Sequence, residues 1–297
     1  MKIPIIFLGT SQAVPTATRN HTSILLKYKN ENILIDCGEG TQRQFRKAKI
    51  NPCKLTRILI THWHGDHVLG LPGLFQTLVL NNYRKTLYIY GPKGTKRYIK
   101  EFSKIFPIKK LKIKAEEVDG KFFETSDFEI SAFPLKHRCP CNGYSFKEKQ
   151  KLRIDKKKLK KLRIKDKTKI SQITKGKSIS LNGRVIKPSE ITYKQPSRKI
   201  SFILDTKFHP SINRFVKDSE ILIIESTYSK KESILASRYS HLTTEQAAKI
   251  AKKARAKKLI LTHISQRYEF KEKHLLREAK KIFPNTKIAE DFMVAEV

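Results

Sequence analysis

Residues 58–74 read ILITHWHGDHVLGLPGL. An apolar run, Ile58-Leu59-Ile60, stops at a stretch in which His62, His64, Asp66 and His67 fall within six positions. The chain holds nine histidines in 297 residues, so a third of them are concentrated here. Imidazoles and carboxylates at the end of a buried strand are costly to desolvate unless something compensates them. A cation is the compensation that this mixture of donors suits. His62 and His64 alternate along an extended segment and project the same way, whereas Asp66 and His67 fall past the turn at Gly65.

Three more apolar runs end at metal-type side chains. SAFPLKH ends at His137, SFILDT carries Asp205, and LILTH ends at His263. Ligands gather at strand ends in layered α/β proteins, so the four places can converge. The count is five imidazoles and two carboxylates. Seven donors are too many for one tetrahedral ion and fit two ions that share a bridging carboxylate. Two Zn²⁺ suit this set best, with Mn²⁺ or Fe as alternatives. A satisfied core histidine is the ordinary reading of any one of them; His21, His209 and His274, which lack such company, are read that way or as exposed.

The framework around these ends is α/β. Short apolar runs bounded by Gly, Asp, Asn and Pro recur (IPIIFLG, TSILLKY, NILIDCG, RILITH, TLYIYGP, FEISAFP, ISFILDT, EILIIES, KLILTH). HLTTEQAAKIAKKARAKK predicts a helix with a capping box, Thr243 with Gln246, and KEKHLLREAKKIF predicts another. A strand-rich first half and an alternating second half indicate stacked sheets rather than one doubly wound sheet. The length fits one domain, 1–297, with an insertion.

The insertion, 145–195, is marked by charge. It carries 18 Lys+Arg and 4 Asp+Glu within a chain whose net charge is +36. It predicts a helix in DKKKLKKLRI, a hairpin in ISLNGRVI and little to bury, so it reads as a protruding, mobile basic arm suited to a polyanion. No run reaches the length of a membrane helix, and the start reads as a strand rather than an export signal. Four cysteines then fit free thiols in a reducing cytoplasm; Cys139 and Cys141 in HRCPC sit too close for an easy disulfide and off zinc-ribbon spacing.

THWHGDH resembles the signature of the metallo-β-lactamase superfamily. GTSQAVPTATRNHTSILL, ILIDCGEGTQRQ, THWHGDHVLGLPGLFQTL, YGPKG, HRCPCNGYSF, SFILDTKFHP, ESTY, YSHLTTEQAA and LTHISQRY occur in the order expected of the ribonuclease Z family, tRNA 3′-processing endonucleases. The resemblance covers essentially the whole chain. It implies a metallo-β-lactamase αβ/βα sandwich with a protruding basic arm. It also implies an assignment: His62, His64 and His137 on one zinc, Asp66, His67 and His263 on the other, and Asp205 between them.

In that reading the metals depress the pKa of bound water to about 7, and Asp66 orients the water and accepts its proton. His241, just before the expected helix, is the candidate proton donor to the departing 3′ oxygen, with Glu225 holding its imidazole. The resemblance further implies a homodimer whose arm clamps precursor tRNA, with Lys156, Lys157, Lys158, Lys160, Lys161, Arg163, Lys175 and Lys177 as candidate RNA contacts. Two readings compete with it: another metallo-β-lactamase-fold phosphodiesterase or nuclease, and a metal-stabilised RNA-binding protein without turnover.

Overall fold

The computed structural model describes residues 2–106, 108, 110–181 and 183–297; Met1 of the expected first strand and Asn182 of the expected hairpin lie outside them. The chain divides into two compact units, one comprising 1–123, 130–146 and 199–297, the other 124–129 and 147–198.

Two seven-stranded sheets organise the larger unit. In spatial order the first runs Val294–Glu296, Pro4–Gly9, Ser23–Tyr28, Glu31–Ile35, Arg57–Leu59, Thr86–Gly91 and Lys112–Glu117. The second runs Thr286–Ile288, Lys258–Thr262, Ile221–Glu225, Arg198–Ile203, Asn142–Glu148, Phe128–Pro134 and Gly120–Glu124. All nine strand-like runs of the sequence are strands here. Their apolar content has a direct cause, since both faces of each sheet are buried.

On the first sheet Ile6, Leu8, Leu25, Leu34, Ile58, Leu87 and Ile89 pack with Phe45, Leu71, Leu74, Phe75, Leu78 and Ile99. Those six come from the helices Thr41–Lys47, Leu71–Leu80 and Thr95–Ile105. The alternate residues Ile5, Phe7, Ile24, Leu26, Ile33 and Ile35 are buried as well, which on a pleated strand places a second apolar layer on the opposite face. The second sheet repeats the scheme. Leu222, Ile224, Leu259 and Leu261 meet Ala247, Ala248, Ile250 and Ala251 of the helix Thr244–Lys253 and Ala279 of the helix Glu272–Lys280. Ile221, Ile223 and Ile260 are buried on its other face. Helices outside and an apolar layer between two sheets make an αβ/βα sandwich.

Strand direction decides where the connecting loops gather. Glu31–Ile35, Arg57–Leu59, Thr86–Gly91 and Lys112–Glu117 pair in parallel, as do Arg198–Ile203, Ile221–Glu225, Lys258–Thr262 and Thr286–Ile288. Their carboxyl ends therefore share an edge within each sheet. Backbone and side-chain bonds tie the sheets there: Asn142 N donates to Thr61 O (2.8 Å) and the buried Tyr144 hydroxyl to Ile60 O (2.7 Å).

The smaller unit corrects one expectation. Ile164, Ile173, Ile179, Ile186 and Ile191 are buried together, with Ile154, Leu159, Leu162, Ile170 and Leu181 packed against them. The segment thus has a core of its own, spaced thinly among lysines. It contains the hairpin Ile179–Leu181/Arg184–Ile186 and the antiparallel pair Lys151–Ile154/Thr192–Gln195. Its helices Lys156–Lys161 and Lys167–Thr174 are capped by Asp155 and Asp166, whose carboxylates accept from backbone N–H groups. The eight basic residues Lys156, Lys157, Lys158, Lys160, Lys161, Arg163, Lys175 and Lys177 are all exposed on this unit.

Ile173 is fully buried in that small core. Ile173→Ala should destabilise the unit by about 2–5 kcal/mol, read as faster tryptic cleavage within 147–198 while the melt of the larger unit is unchanged.

Candidate metal and catalytic site

Every donor singled out in the sequence sits at a carboxyl strand end or in the loop after one. His62 and His64 follow Arg57–Leu59, and Asp66 and His67 belong to the one-turn helix Gly65–Val68. His137 follows Phe128–Pro134, Asp205 follows Arg198–Ile203, and His263 follows Lys258–Thr262 with a left-handed φ of 59°. The loop carrying HxHxDH is pressed onto the turn after Glu31–Ile35: Cys37 N donates to His67 O (2.8 Å) and Gly70 N to Cys37 O (2.9 Å). A Cβ on Gly70 would lie 2.0 Å from Gly38 O, so only glycine permits this approach.

The donor atoms gather in two groups. His62 Nε2 lies 3.0 Å from His64 Nδ1, which lies 3.2 Å from His137 Nε2. His67 Nε2 lies 3.3 Å from His263 Nε2 and 3.2 Å from Asp66 Oδ2. Asp205 stands between the groups. Its Oδ2 faces His62 Nε2 (3.7 Å) and His137 Nε2 (3.9 Å), and its Oδ1 faces His263 Nε2 (3.1 Å) and His67 Nε2 (3.4 Å).

The proton positions follow from the hydrogen bonds on the outer side of each ring. Asp36 Oδ2 lies 2.6 Å from His67 Nδ1, fixing the proton there. The Thr61 hydroxyl donates to Asp36 Oδ2 (2.7 Å), so its oxygen accepts from His62 Nδ1 (3.1 Å). The Thr227 hydroxyl donates to Glu225 Oε2 (2.6 Å) and accepts from His263 Nδ1 (2.9 Å). His137 Nδ1 donates to Ser240 O (3.1 Å). With the rings neutral, four of them therefore point Nε2 lone pairs inward, and the buried Asp205 Oδ1 has no hydrogen-bond donor. Converging lone pairs without donors are what a cation relieves. The donor set fits divalent metal, with {His62, His64, His137, Asp205} and {Asp66, His67, His263} each close enough to share an ion.

The electrostatics of the cluster agree. Burial opposes charge on His67, but Asp66, Asp205 and Asp36 outweigh it and hold its pKa well above the usual histidine range. Burial, with His67 next, pushes His62 well below it. Burial works against ionised Asp66 and Asp205, yet the imidazoles win and both carboxyls are held low. The surrounding carboxylates thus favour positive charge among the rings, which a cation would supply.

A second pair adjoins the cluster. Glu225, fully buried at the end of its strand, accepts from Thr206 N (2.8 Å) and lies 3.1 Å from His241 Nδ1. Burial lowers the affinity of His241 for a proton, but Glu225 and Asp205 overcome it and raise its pKa to about 9. His241 lines a cleft of about 100 Å³ together with His64, Asp66, His137, Asp205, His263, Gln12, Ala13, Arg138 and Tyr239. All four cysteines are free. Cys139 Sγ lies 3.7 Å from His64 Nε2, on the side of the ring away from the cluster atom, and Cys141 Sγ donates to Asp205 O (3.3 Å). His209 is buried against Phe133, and His274 is exposed.

Sequence reasoning did not find Asp36, Thr61 or Thr227. Their one available signal was position: Asp36 and Thr61 end neighbouring parallel strands, and Thr227 lies two residues past Glu225.

Fold and site together define a metallo-β-lactamase-fold protein with a divalent-cation centre at its strand ends. A structure described as the metallo-β-lactamase fold protein YhfI from Bacillus subtilis superposes over the full length of both chains with a TM-score of 0.72 at 19% identity. The crystal structure of human tRNase Z, short form, superposes with a TM-score of 0.68 at 27% identity, covering 98% of each chain. Ribonuclease Z of Pediococcus pentosaceus is 41% identical over 303 residues, 98% of each chain. The chain belongs to the ribonuclease Z family, and residues 3–277 also match the family model described as anti-Pycsar protein Apyc1.

Asp36→Asn places an amide beside His67 Nδ1 and reverses the tautomer, so cation affinity should fall about 10–100-fold in competition with a chromophoric chelator. Unchanged affinity would remove the tautomer argument. Because the cation displaces the His67 proton, wild-type affinity should also rise with pH, by about tenfold per unit for one proton.

Proposed function

We propose that the chain is a two-metal endoribonuclease that removes the 3′ trailer from precursor tRNA, cutting after the discriminator base to leave a 3′-hydroxyl on the tRNA and a 5′-phosphate on the trailer. One observation carries it: two groups of metal-type donors share Asp205 across its two oxygens, in the same cleft as the His241–Glu225 pair. Membership of the ribonuclease Z family supports the substrate. His62, His64 and His137 would hold one ion and Asp66, His67 and His263 the other, with Asp205 facing both groups.

Two divalent cations, taken as Zn²⁺ for this imidazole-rich set, supply Lewis acidity toward the phosphoryl oxygens and a lowered pKa for water. The protein's own groups do the rest. Asp66 accepts the proton of the attacking water. His241, charged through Glu225, gives its proton to the departing 3′ oxygen, which leaves as a hydroxyl. Glu225 keeps that ring oriented while its other oxygen, through Thr227, sets the tautomer of His263.

The exposed lysines and arginines of the smaller unit contact tRNA phosphates, which gives affinity without sequence readout. A homodimer in the cytoplasm completes the reading; four free thiols fit a reducing compartment. Among the described residues no helix is long and apolar enough to cross a membrane.

Another phosphodiester substrate for the same centre is the competing reading, since the donor set alone does not choose between them. A labelled precursor tRNA with a 3′ trailer, incubated with and without chelator and mapped at both product ends, separates them. A single chelator-sensitive cut beside the discriminator base supports the proposal, and no cut by folded, metal-loaded protein discards it. Asp66→Ala should abolish cleavage while tRNA binding persists.

The acid form of His241 is present below its pKa and lost above it. The rate should therefore fall as pH rises through about 9, and His241→Ala should lose about 10²–10⁴-fold together with that limb. Glu225→Gln removes the charge that raises His241, so the limb should move toward the ordinary histidine range.

A further inference from the structure

The metal donors and His241 account for the scissile phosphate, and four residues of the cleft remain: Gln12, Ala13, Arg138 and Tyr239. Tyr239 is 40% exposed. The Arg138 guanidinium carbon lies 5.0 Å from its ring centroid and that of Arg238 5.8 Å. Arg138 is held in place, because its Nη2 donates to Arg238 O (2.8 Å). Neither arginine forms a salt bridge with a carboxylate among the described residues.

The backbone explains why this ring is where it is. The helix Ser233–Tyr239 ends at Ser240 in a left-handed conformation, φ 59°. Its carbonyl accepts from His137 Nδ1, and the next residue is His241, whose N–H donates to Ala236 O (2.8 Å). Tyr239, Ser240 and His241 are thus fixed as a unit. Arg138 is likewise adjacent in sequence to His137. The ring and its guanidinium partner are anchored to residues of the reaction centre on both sides.

An exposed aromatic ring with flanking guanidinium groups and no acidic counterpart is suited to a nucleobase and the phosphate beside it. Stacking does not depend on base identity, which suits a substrate whose bases vary around the cut. Resting on the endonuclease reading above, we propose that Tyr239 and Arg138 form the platform for the nucleotide flanking the scissile phosphate: Tyr239 stacks its base and Arg138 meets its outer phosphate. Tyr239 is then a substrate-positioning residue, distinct from the metal donors and from the proton donor.

The test uses the full-length, metal-loaded protein and three precursor tRNAs: one intact, one abasic at the last nucleotide before the cut, and one abasic at the first nucleotide after it. Wild type is compared with Tyr239→Ala, Tyr239→Phe and Arg138→Ala. Base stacking of ordinary strength predicts a loss in kcat/KM of roughly five- to a hundredfold for Tyr239→Ala on intact RNA, with recovery in Tyr239→Phe. On one of the two abasic substrates the Tyr239→Ala penalty should vanish, and that substrate identifies the stacked nucleotide. Arg138→Ala should flatten the salt dependence of KM by about one phosphate contact.

A penalty of equal size on all three substrates would overturn the platform and leave Tyr239 a structural residue, as would no penalty at all. Failure of the underlying reading looks different: wild type itself would then cut none of the three.

Discussion

The site rests on a repulsion that the protein builds into its own fold. Four imidazoles are buried or half-buried with their Nδ1 protons committed outward, so that Nε2 lone pairs converge on one another and on Asp205. The fields of Asp66, Asp205 and Asp36 favour positive charge at His67 and so oppose that repulsion. The surrounding structure must oppose collapse of the arrangement. Parallel strands do so because their carboxyl ends arrive at one edge with backbone groups already bonded, and the side chains beyond them inherit fixed origins. The Gly38–Gly70 contact does so from the other side, by pinning the HxHxDH loop at a separation that a single methyl group would prevent.

This division decides what could be read from the sequence. Strands whose two faces are both buried appear as unbroken apolar runs, and a histidine or aspartate at the end of such a run is conspicuous. The seven side chains that converge at the strand ends and the helix capped by Thr243 were legible for that reason. Asp36, Thr61 and Thr227 were not, because their chemistry depends on partners 25 to 36 residues away in sequence. A threonine after a strand is ordinary until its hydroxyl is seen to donate to one carboxylate and accept from one imidazole. The small core of the second unit escaped for another reason: Ile164, Ile173, Ile179, Ile186 and Ile191 are scattered among lysines, and a charge count over the segment hides spacing that short helices and a hairpin bring together.

Charge is also divided by place. The chain as a whole is strongly basic, with 63 Lys+Arg against 27 Asp+Glu, yet the carboxylates Asp36, Asp66, Asp205 and Glu225 lie close together around the histidine cluster. A polyanion drawn to the surface would be repelled by Asp66, Asp205 and Glu225 if they stood alone. Cations bound among them invert the local field. The same donors serve many substrates across one fold, so the choice of substrate lies outside them.

Glu225 joins these levels in a single side chain. One oxygen holds His241, and the other, through the Thr227 hydroxyl, holds the proton of His263 away from the metal side of the ring. His241 and His263 are therefore oriented by one carboxylate that is itself fixed by Thr206 N and shut off from water. Burial favours its neutral form and His241 favours the ionised one, with the charged form winning. A displacement of Glu225 cannot disturb one function alone, and the two rings, stacked at 5.5 Å between centroids, would be misaligned together. This shared support gives a physical reason for a fully buried carboxylate at the end of a strand that could have been closed by an apolar residue.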